Sequence, residues 1–184
     1  MRVTLDYDTR DHAVTTSRGT YLLTFAEASV RGLASSDSYQ RYGLDARHFL
    51  RWKRKGHVTA GSVRYEQLQG DAPFWMLPSL GGKYSLRAYG SGRYLDKGSA
   101  SANVEHRWTF FEEKMAGVTT EFELAPFVGL GTVFDEPSRL ARRYARPVVG
   151  AAVRAVARPQ VVGSIDFGVG REGLTVFMDI NYSF

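Results

Sequence analysis

The chain has 184 residues with 19 glycines, 6 prolines and 13% aromatic residues. This composition fits one ordered domain and excludes a disordered or fibrous protein. No stretch approaches the ~18 consecutive apolar residues of a transmembrane helix, which excludes an α-helical membrane protein. The net charge of +5 does not indicate a nucleic-acid partner, because lysine and arginine alternate with apolar residues instead of forming a basic block.

Alternation of apolar and polar residues with a period of two predicts nine β-strands. In chain order, they cover residues 3–7, 20–31, 43–53, 58–67, 99–110, 121–134, 148–158, 161–170 and 175–184. Several approach the ~9 to 11 residues that a tilted strand needs to cross a bilayer, whereas strands of ordinary globular proteins average about five or six. Strand length therefore favours a membrane protein over a soluble one.

The two faces of the predicted strands differ in chemistry. The fifth strand alternates without a break, with Ala100, Ala102, Val104, His106, Trp108 and Phe110 opposing Ser99, Ser101, Asn103, Glu105, Arg107 and Thr109. Across all strands, the polar faces carry small residues together with Glu105, Arg107, Glu121, Glu123, Arg154 and Asp166. The apolar faces carry aromatic residues near strand ends, namely Trp108, Phe110, Phe134, Tyr182 and Phe184. Such faces suit a hydrated lumen on one side and lipid with interfacial aromatics on the other.

The connections also alternate. Residues 55–56 and 159–160 form tight turns, whereas 71–98 and 135–146 are long and polar, like the short periplasmic turns and long outer loops of outer-membrane barrels. We therefore predict an all-β fold, an antiparallel transmembrane β-barrel. Residues 1–184 form its single domain, and residues 71–98 form a long extracellular or lumen-folded loop. A soluble β-sandwich or lipocalin-like barrel is the alternative, because it shows the same alternation.

Several motifs occur in the order of a known family. They are Asp8-Thr9-Arg10-Asp11 with Gly19, Gly70-Asp71-Ala72-Pro73-Phe74, Leu80-Gly81-Gly82, Leu86-Arg87-Ala88-Tyr89-Gly90, Val104-Glu105-His106-Arg107, Phe127-Val128-Gly129-Leu130-Gly131 and Phe184. In this order they resemble the bacterial surface antigen family, the superfamily of BamA, TamA and two-partner-secretion transporters. The resemblance implies an outer-membrane location and a barrel of sixteen strands, of which these nine match the last nine. The other interpretation is a closed barrel of about eight strands, with the first segment outside it.

The resemblance also implies a clamp between the long loop and the barrel wall. By resemblance, Arg87 of the loop motif, which includes Tyr89 and Gly90, folds inward and meets Glu105. A guanidinium can form a bidentate bridge of this kind. Gly129 stands where the family has a second acid and Ala88 where it has a loop glycine, so the clamp is expected to be weaker or altered. The residues alone, without the order of the motifs, favour the alternative that Arg87 is a solvated loop cation and that Glu105 pairs with Arg107.

The same resemblance implies a seam between the first and last strands. Such a seam opens and offers an unpaired edge to an incoming strand. Gly168 and Gly170 are expected to soften the edge formed by residues 175–184. Tyr182 and Phe184 are expected to anchor at the membrane interface or to complete an assembly signal.

No enzymatic site is expected. The four histidines lie in separate segments without metal-ligand spacing, no Gly-x-Ser-x-Gly motif occurs, and we expect no metal or cofactor. The expected function is insertion or translocation of polypeptides at the outer membrane. The alternative is a structural or anchoring barrel that tethers or assembles with partner chains. The expected partners are outer-membrane lipids with unfolded outer-membrane or secreted polypeptides, or else partner subunits, including copies of the chain.

Overall fold

A computed structural model describes residues 1–32, 37–115, 118–139, 145–157 and 161–183. They form an antiparallel sheet in which nine strands follow one another in sequence order. These strands are β1 (Arg2–Asp8), β2 (Gly19–Ser29), β3 (Ser38–Arg51), β4 (His57–Asp71), β7 (Gly98–Met115), β8 (Val118–Phe134), β9 (Arg146–Ala157), β10 (Val161–Gly170) and β11 (Gly173–Ile180). Two short strands, β5 (Ser79–Leu80) and β6 (Tyr94–Leu95), pair within the connection between β4 and β7.

The all-β antiparallel prediction is confirmed, and each predicted strand corresponds to one strand of the sheet. All seven residues of β1 pair with β2, so the first strand belongs to the sheet and does not lie apart from it. The sheet is open: within the described residues, β1 pairs with β2 alone and β11 with β10 alone. Helical structure in these ranges consists of 3-10 turns at Phe74–Met76 and Pro137–Arg139, and none of it is long and apolar enough to span a membrane.

The sheet has two ends, which we name by their connections. At the loop end lie the connections after β2, β4, β8 and β10, including the 26 residues between Asp71 and Gly98. At the turn end lie the connections after β1, β3, β7 and β9, together with residues 181–183. The predicted tight turn at 55–56 is present at this end, and Gly56 adopts a φ of 77°. The other predicted turn, 159–160, lies outside the described residues.

The inner face of the sheet is polar and buried. On β7, Ser101, Asn103, Glu105 and Arg107 are each at most 6% exposed, whereas Val104 on the opposite, outer face is 50% exposed. The predicted assignment of residues to the two faces of this strand is therefore confirmed. The outer face leaves many large apolar side chains uncovered, among them Val63, Trp108, Phe110, Val128, Leu130, Val149, Val153, Phe167, Val169, Val176 and Met178.

Aromatic residues form a belt near each end of the outer face. Near the loop end, Tyr65 packs against Tyr42 and against Phe134, which is itself buried at 3% exposure and is not the exposed interfacial aromatic that the sequence predicts. Near the turn end, Trp108 packs against His57 and Phe110. His57 and Tyr65 are eight residues apart on β4, which corresponds to about 27 Å along a strand. For a strand tilt near 40°, the belts are about 21 Å apart, close to the ~25 Å apolar band of outer-membrane barrels.

The inner loop, which we define as residues 79–95, packs on the inner face. Leu80, Leu86 and Tyr89 form a buried cluster with Phe127 and other wall residues. Glycines of the wall make room for this loop. A side chain at Gly168 would overlap the carbonyl oxygen of Arg87, because the loop backbone lies directly against β10. This part of the interior is therefore filled with protein and is not the hydrated lumen that the sequence predicts.

The alternation of faces breaks after β11. Asn181 has a positive φ of 131°, a conformation that turns the following residues to the other side of the sheet. Tyr182 and Ser183 are consequently buried on the inner side, at 6% and 0% exposure. The prediction that Tyr182 lies on the outer face as an interfacial anchor is wrong. Phe184, predicted beside it, lies outside the described residues.

Substitution of Gly168 by alanine should loosen the inner loop. The added methyl group would collide with backbone that cannot rotate away, and overpacking of this kind costs about 1–3 kcal/mol. Gly163→Ala is the matched control on the same strand, because the carbonyl oxygen of Ala155 would lie 3.9 Å from the added methyl group, in ordinary contact. Thermal unfolding followed by gel mobility should show a lower midpoint for Gly168→Ala only. Equal midpoints would contradict the close packing of the loop on β10.

Candidate functional site

Arg87 of the inner loop is buried against three parts of the wall. Its side chain is 1% exposed, and Nη1 donates to Glu105 Oε2 at 2.7 Å, to Ser183 Oγ at 3.1 Å and to Asp166 Oδ1 at 3.4 Å. Its guanidinium carbon lies 3.6 Å from the ring centroid of Phe127, a cation–π contact. The structure therefore brings Arg87 and Glu105 together, and the alternative of a solvated Arg87 is wrong.

Glu105 accepts hydrogen bonds from three arginines. Besides Arg87, Arg107 Nε donates to Oε1 at 2.8 Å, so the two partners weighed from the sequence are both present. Arg154 of β9 donates from Nη1 to Oε1 at 2.9 Å and from Nη2 to Oε2 at 2.8 Å. The bidentate bridge expected of Arg87 is thus made by Arg154, whereas Arg87 uses one nitrogen. Charge-assisted bonds of this geometry are the strong ones.

A second carboxylate reaches Arg87 from an unexpected strand. Asp166 of β10 is fully buried and also lies 3.4 Å from Arg154 Nη2, while Ser164 Oγ donates to it at 2.9 Å. Gly129, the position where the resemblance places the second acid, instead faces Asn103, whose side chain would overlap any added Cβ. The expected loss of a second acid is therefore offset by Asp166.

Lys83 extends the network toward the last strand. Its Nζ donates to the Asn181 carbonyl at 2.6 Å and lies 3.5 Å from Asp179 and 4.0 Å from Asp166. Burial lowers the pKa of Lys83, and the nearby carboxylates of Asp166 and Asp179 oppose that shift only in part. The lysine thus links the inner loop to both β10 and the segment after β11.

Tyr182 occupies the space between the arginines of the wall. Its hydroxyl donates to Glu123 at 3.0 Å, and its ring lies 3.8 Å from the guanidinium of Arg107 and 5.0 Å from that of Arg154. Glu123 is consequently 3% exposed and does not face the hydrated lumen that the sequence predicts for the polar faces. Glu121, on the same face of the strand, is partly exposed.

The remaining predicted residues take different positions. Tyr89 is buried and accepts a hydrogen bond from the Arg171 backbone at 3.1 Å, which ties the loop to the β10–β11 turn. Gly90 is exposed and does not reach the wall acids. Gly168 and Gly170 lie directly beneath residues 87–89 of the inner loop. Their predicted softening of the seam stays a prediction, and the structure gives them a second purpose, which is space for the loop.

Sequence reasoning placed Arg154 and Asp166 on the polar faces but not in the clamp, and it did not single out Lys83. Arg154 and Asp166 were identifiable as charges on the inner faces of strands otherwise built from small and apolar residues. Their meeting at Glu105 depends on how β7, β9 and β10 curve around the loop, which alternation does not encode. No group of three or more metal-ligating side chains suited to a metal ion occurs in the described part of the chain.

Neutralising Glu105 should destabilise the protein strongly. Glu105→Gln keeps the shape but leaves buried arginines without their shared counter-charge, and breaking a buried ion pair in this way costs about 3–5 kcal/mol. Glu66→Gln is the control, because Glu66 pairs with Arg41 at a site that is 25% exposed, where such pairs are worth little. Urea denaturation should separate the two variants, and equal midpoints would contradict a central role for Glu105.

Comparison with known proteins agrees with this geometry. The model of the Omp85 superfamily domain matches residues 1–170 of the chain. No curated protein matches the chain. The predicted resemblance to the bacterial surface antigen superfamily is thereby confirmed. The chain belongs to the Omp85 superfamily, which assembles and translocates proteins at the outer membrane.

Proposed function

We propose that this chain forms part of the wall of an outer-membrane β-barrel that inserts or translocates polypeptides, without catalysing a covalent reaction. The observation that carries the proposal is the position of Arg87. The Nη1 group of its side chain contacts Glu105 on β7, Asp166 on β10 and Ser183 after β11. The inner loop is thereby coupled to the strands next to the sheet edge, where an incoming strand would pair.

The chemistry of the two faces supports a position within the bilayer. A water-soluble sheet packs its apolar face and solvates its polar one, whereas this sheet buries Glu105, Asp166 and Arg154 and exposes residues such as Val128 and Phe167. Exposed apolar surface of this extent, bounded by two aromatic belts, suits contact with lipid. The alternative of a soluble sandwich has no second sheet to cover the outer face within the described residues.

Strand direction supports a wall that is larger than nine strands. In an antiparallel meander, the first and ninth strands run in the same direction, so direct pairing of β1 with β11 would be parallel. An antiparallel seam needs an odd number of additional strands between these edges, whereas an even total is the rule for single-chain bacterial barrels. Seven further strands give the sixteen that the family resemblance implies. A second copy of this sheet in the same membrane orientation would meet the same parallel mismatch at both edges.

Within the described residues one edge of β11 is unpaired, and this edge supports the proposed mechanism. Its backbone pairs on one side with β10, and an edge of unpaired N–H and C=O groups is a template for an added strand. The inner loop holds this strand from inside through Tyr84, which donates to Asp179 at 3.0 Å, and through Thr175, which donates to the Ala88 carbonyl at 3.0 Å. Movement of the loop would therefore change the position of the edge.

A structural or anchoring barrel is the second candidate. The observation that favours it is the tight attachment of residues 181–183 to the interior through Lys83, Glu123 and Arg87. These contacts resist displacement of β11, as a passive anchor requires.

Arg87→Ala tests the proposal. Proteoliposomes containing the protein are given an unfolded outer-membrane polypeptide, and its insertion is measured by heat-modifiable gel mobility. Without the guanidinium, the loop loses its attachment to Glu105 and Asp166, and insertion should fall about tenfold or more, the scale expected when about 1.4 kcal/mol of positioning is lost.

Arg93→Ala is the matched control in the same loop, since Arg93 is 56% exposed and pairs with Glu172 at the surface. It should insert the polypeptide at the unaltered rate. The heat-modifiable mobility of the protein itself reports whether each variant is folded. Folded Arg87→Ala protein with full insertion activity would refute the insertase and favour the anchor.

A further inference from the structure

The β3–β4 turn carries three consecutive cations at the aromatic belt of the turn end. Lys53, Arg54 and Lys55 are exposed and lie between Trp52 and Gly56 in the sequence. Lys55 pairs with Glu112 at 3.3 Å, an ion pair at an 89% exposed lysine. Lys53 and Arg54 have no ion-pair partner in the described part of the chain. Two positive charges are therefore available to an external anion.

A hydrogen-bonded chain of side chains adjoins this turn on the outer face. Trp52 Nε1 donates to Thr59 Oγ1 at 2.8 Å, Thr59 Oγ1 lies 2.9 Å from His106 Nδ1, and His106 Nε2 lies 3.1 Å from His57 Nδ1. His57 also stacks on Trp108, at 6.1 Å between centroids and 14° between planes. Both imidazoles are thus fixed in orientation at the level of the belt.

Two proton arrangements along this chain place a hydrogen on His57 Nε2. The indole can only donate, so Thr59 Oγ1 accepts from it, and the Thr59 hydroxyl remains able to donate a hydrogen bond to His106 Nδ1. Neutral His106 then donates from Nε2 to His57 Nδ1, and His57 carries its proton on Nε2. If the pair takes up one more proton, His57 donates from both nitrogens and His106 donates to Thr59. In both of these states His57 Nε2–H is a donor with no partner among the described residues, whereas neutral histidines protonated on Nδ1 would leave Nε2 as an acceptor, so an external anion selects the states with Nε2–H.

We propose that Lys53, Arg54 and His57, framed by Trp52 and Trp108, bind the phosphate of an anionic phospholipid headgroup in the leaflet at the turn end. The proposal rests on the membrane position of the sheet given under the proposed function. A phosphodiester offers acceptors to the imidazole N–H and negative charge to the two cations, while its acyl chains lie along the exposed apolar outer face. The indole rings occupy the interfacial depth that Trp prefers.

The continuity of the site with the lipid-facing surface selects this ligand. Val104 and Val63, both about half exposed, lie on the outer face between the two belts. A soluble anion would gain nothing from this surface, whereas a lipid occupies both regions at once. Juxtamembrane cations contribute about fivefold each to binding of anionic lipid.

Tryptophan fluorescence can test the site directly, because two of the three tryptophans frame it. In a Trp75→Phe background, the full chain is reconstituted in phosphatidylcholine vesicles containing headgroup-spin-labelled phosphatidylglycerol or, separately, equally labelled phosphatidylcholine. With two cations in the site, labelled phosphatidylglycerol should quench Trp52 and Trp108 at about 25-fold lower mole fraction. Lys53→Ser/Arg54→Ser should remove this preference, and His57→Phe, which keeps the ring stack, should reduce it.

Lys97→Ser/Arg171→Ser is the matched control, because it removes the same charge from the loop end. This variant should keep the preference for phosphatidylglycerol. If the variant lost the preference, general charge attraction would explain the binding and the proposal would be overturned. Equal quenching by both lipids in the unaltered chain would overturn the headgroup site. The cations of the β3–β4 turn would then be assigned to binding an acidic protein partner. Absence of quenching by either lipid would instead refute the membrane position itself, and so the proposed function.

Discussion

The structure depends on how one carboxylate, Glu105, is accommodated away from water. An isolated buried carboxylate would be strongly unfavourable, and it is tolerated here because Arg87, Arg107 and Arg154 surround it. Each arginine comes from a different element, the inner loop, β7 itself and β9. Their meeting at one residue therefore fixes the loop on the wall and links β7 to β9 across the inner face. Asp166 and Glu123 balance the remaining charge, and Glu123 and Arg87 attach the segment after β11 to the same centre.

The polar interior and the apolar exterior are two consequences of one alternating pattern. On β7, the even-numbered positions give the outer surface and the odd-numbered positions give the network, so a single strand supplies both the lipid-facing surface and the residues that hold the loop. The glycines of the inner face complete this division. Leu80 and Leu86 pack against Gly131, and the backbone of Arg87 packs against Gly168. The loop can therefore lie against the wall without an intervening layer of water.

Much of the sheet was predictable because period-two alternation is a local property. It assigned all nine strands and the two faces of β7, although the ends were underestimated where polar residues continue β4 to Asp71 and β7 to Met115. Contacts between distant strands were harder to predict from the sequence. The Arg87–Glu105 pair required the family resemblance, and the contributions of Arg154 and Asp166 required the curvature of the sheet. Tyr182 was placed on the wrong face because one residue, Asn181, adopts a backbone conformation that the side-chain pattern does not reveal.

The same direction of β1 and β11 has a consequence for how such a wall can change during evolution. Loss or gain of one strand reverses the direction of everything that follows it, and one edge would then meet its neighbour in the wrong sense. A hairpin, by contrast, enters or leaves without altering the direction of either edge. The natural unit of variation in this wall is therefore a pair of strands with its turn, and a lineage of such proteins would differ in size by even steps.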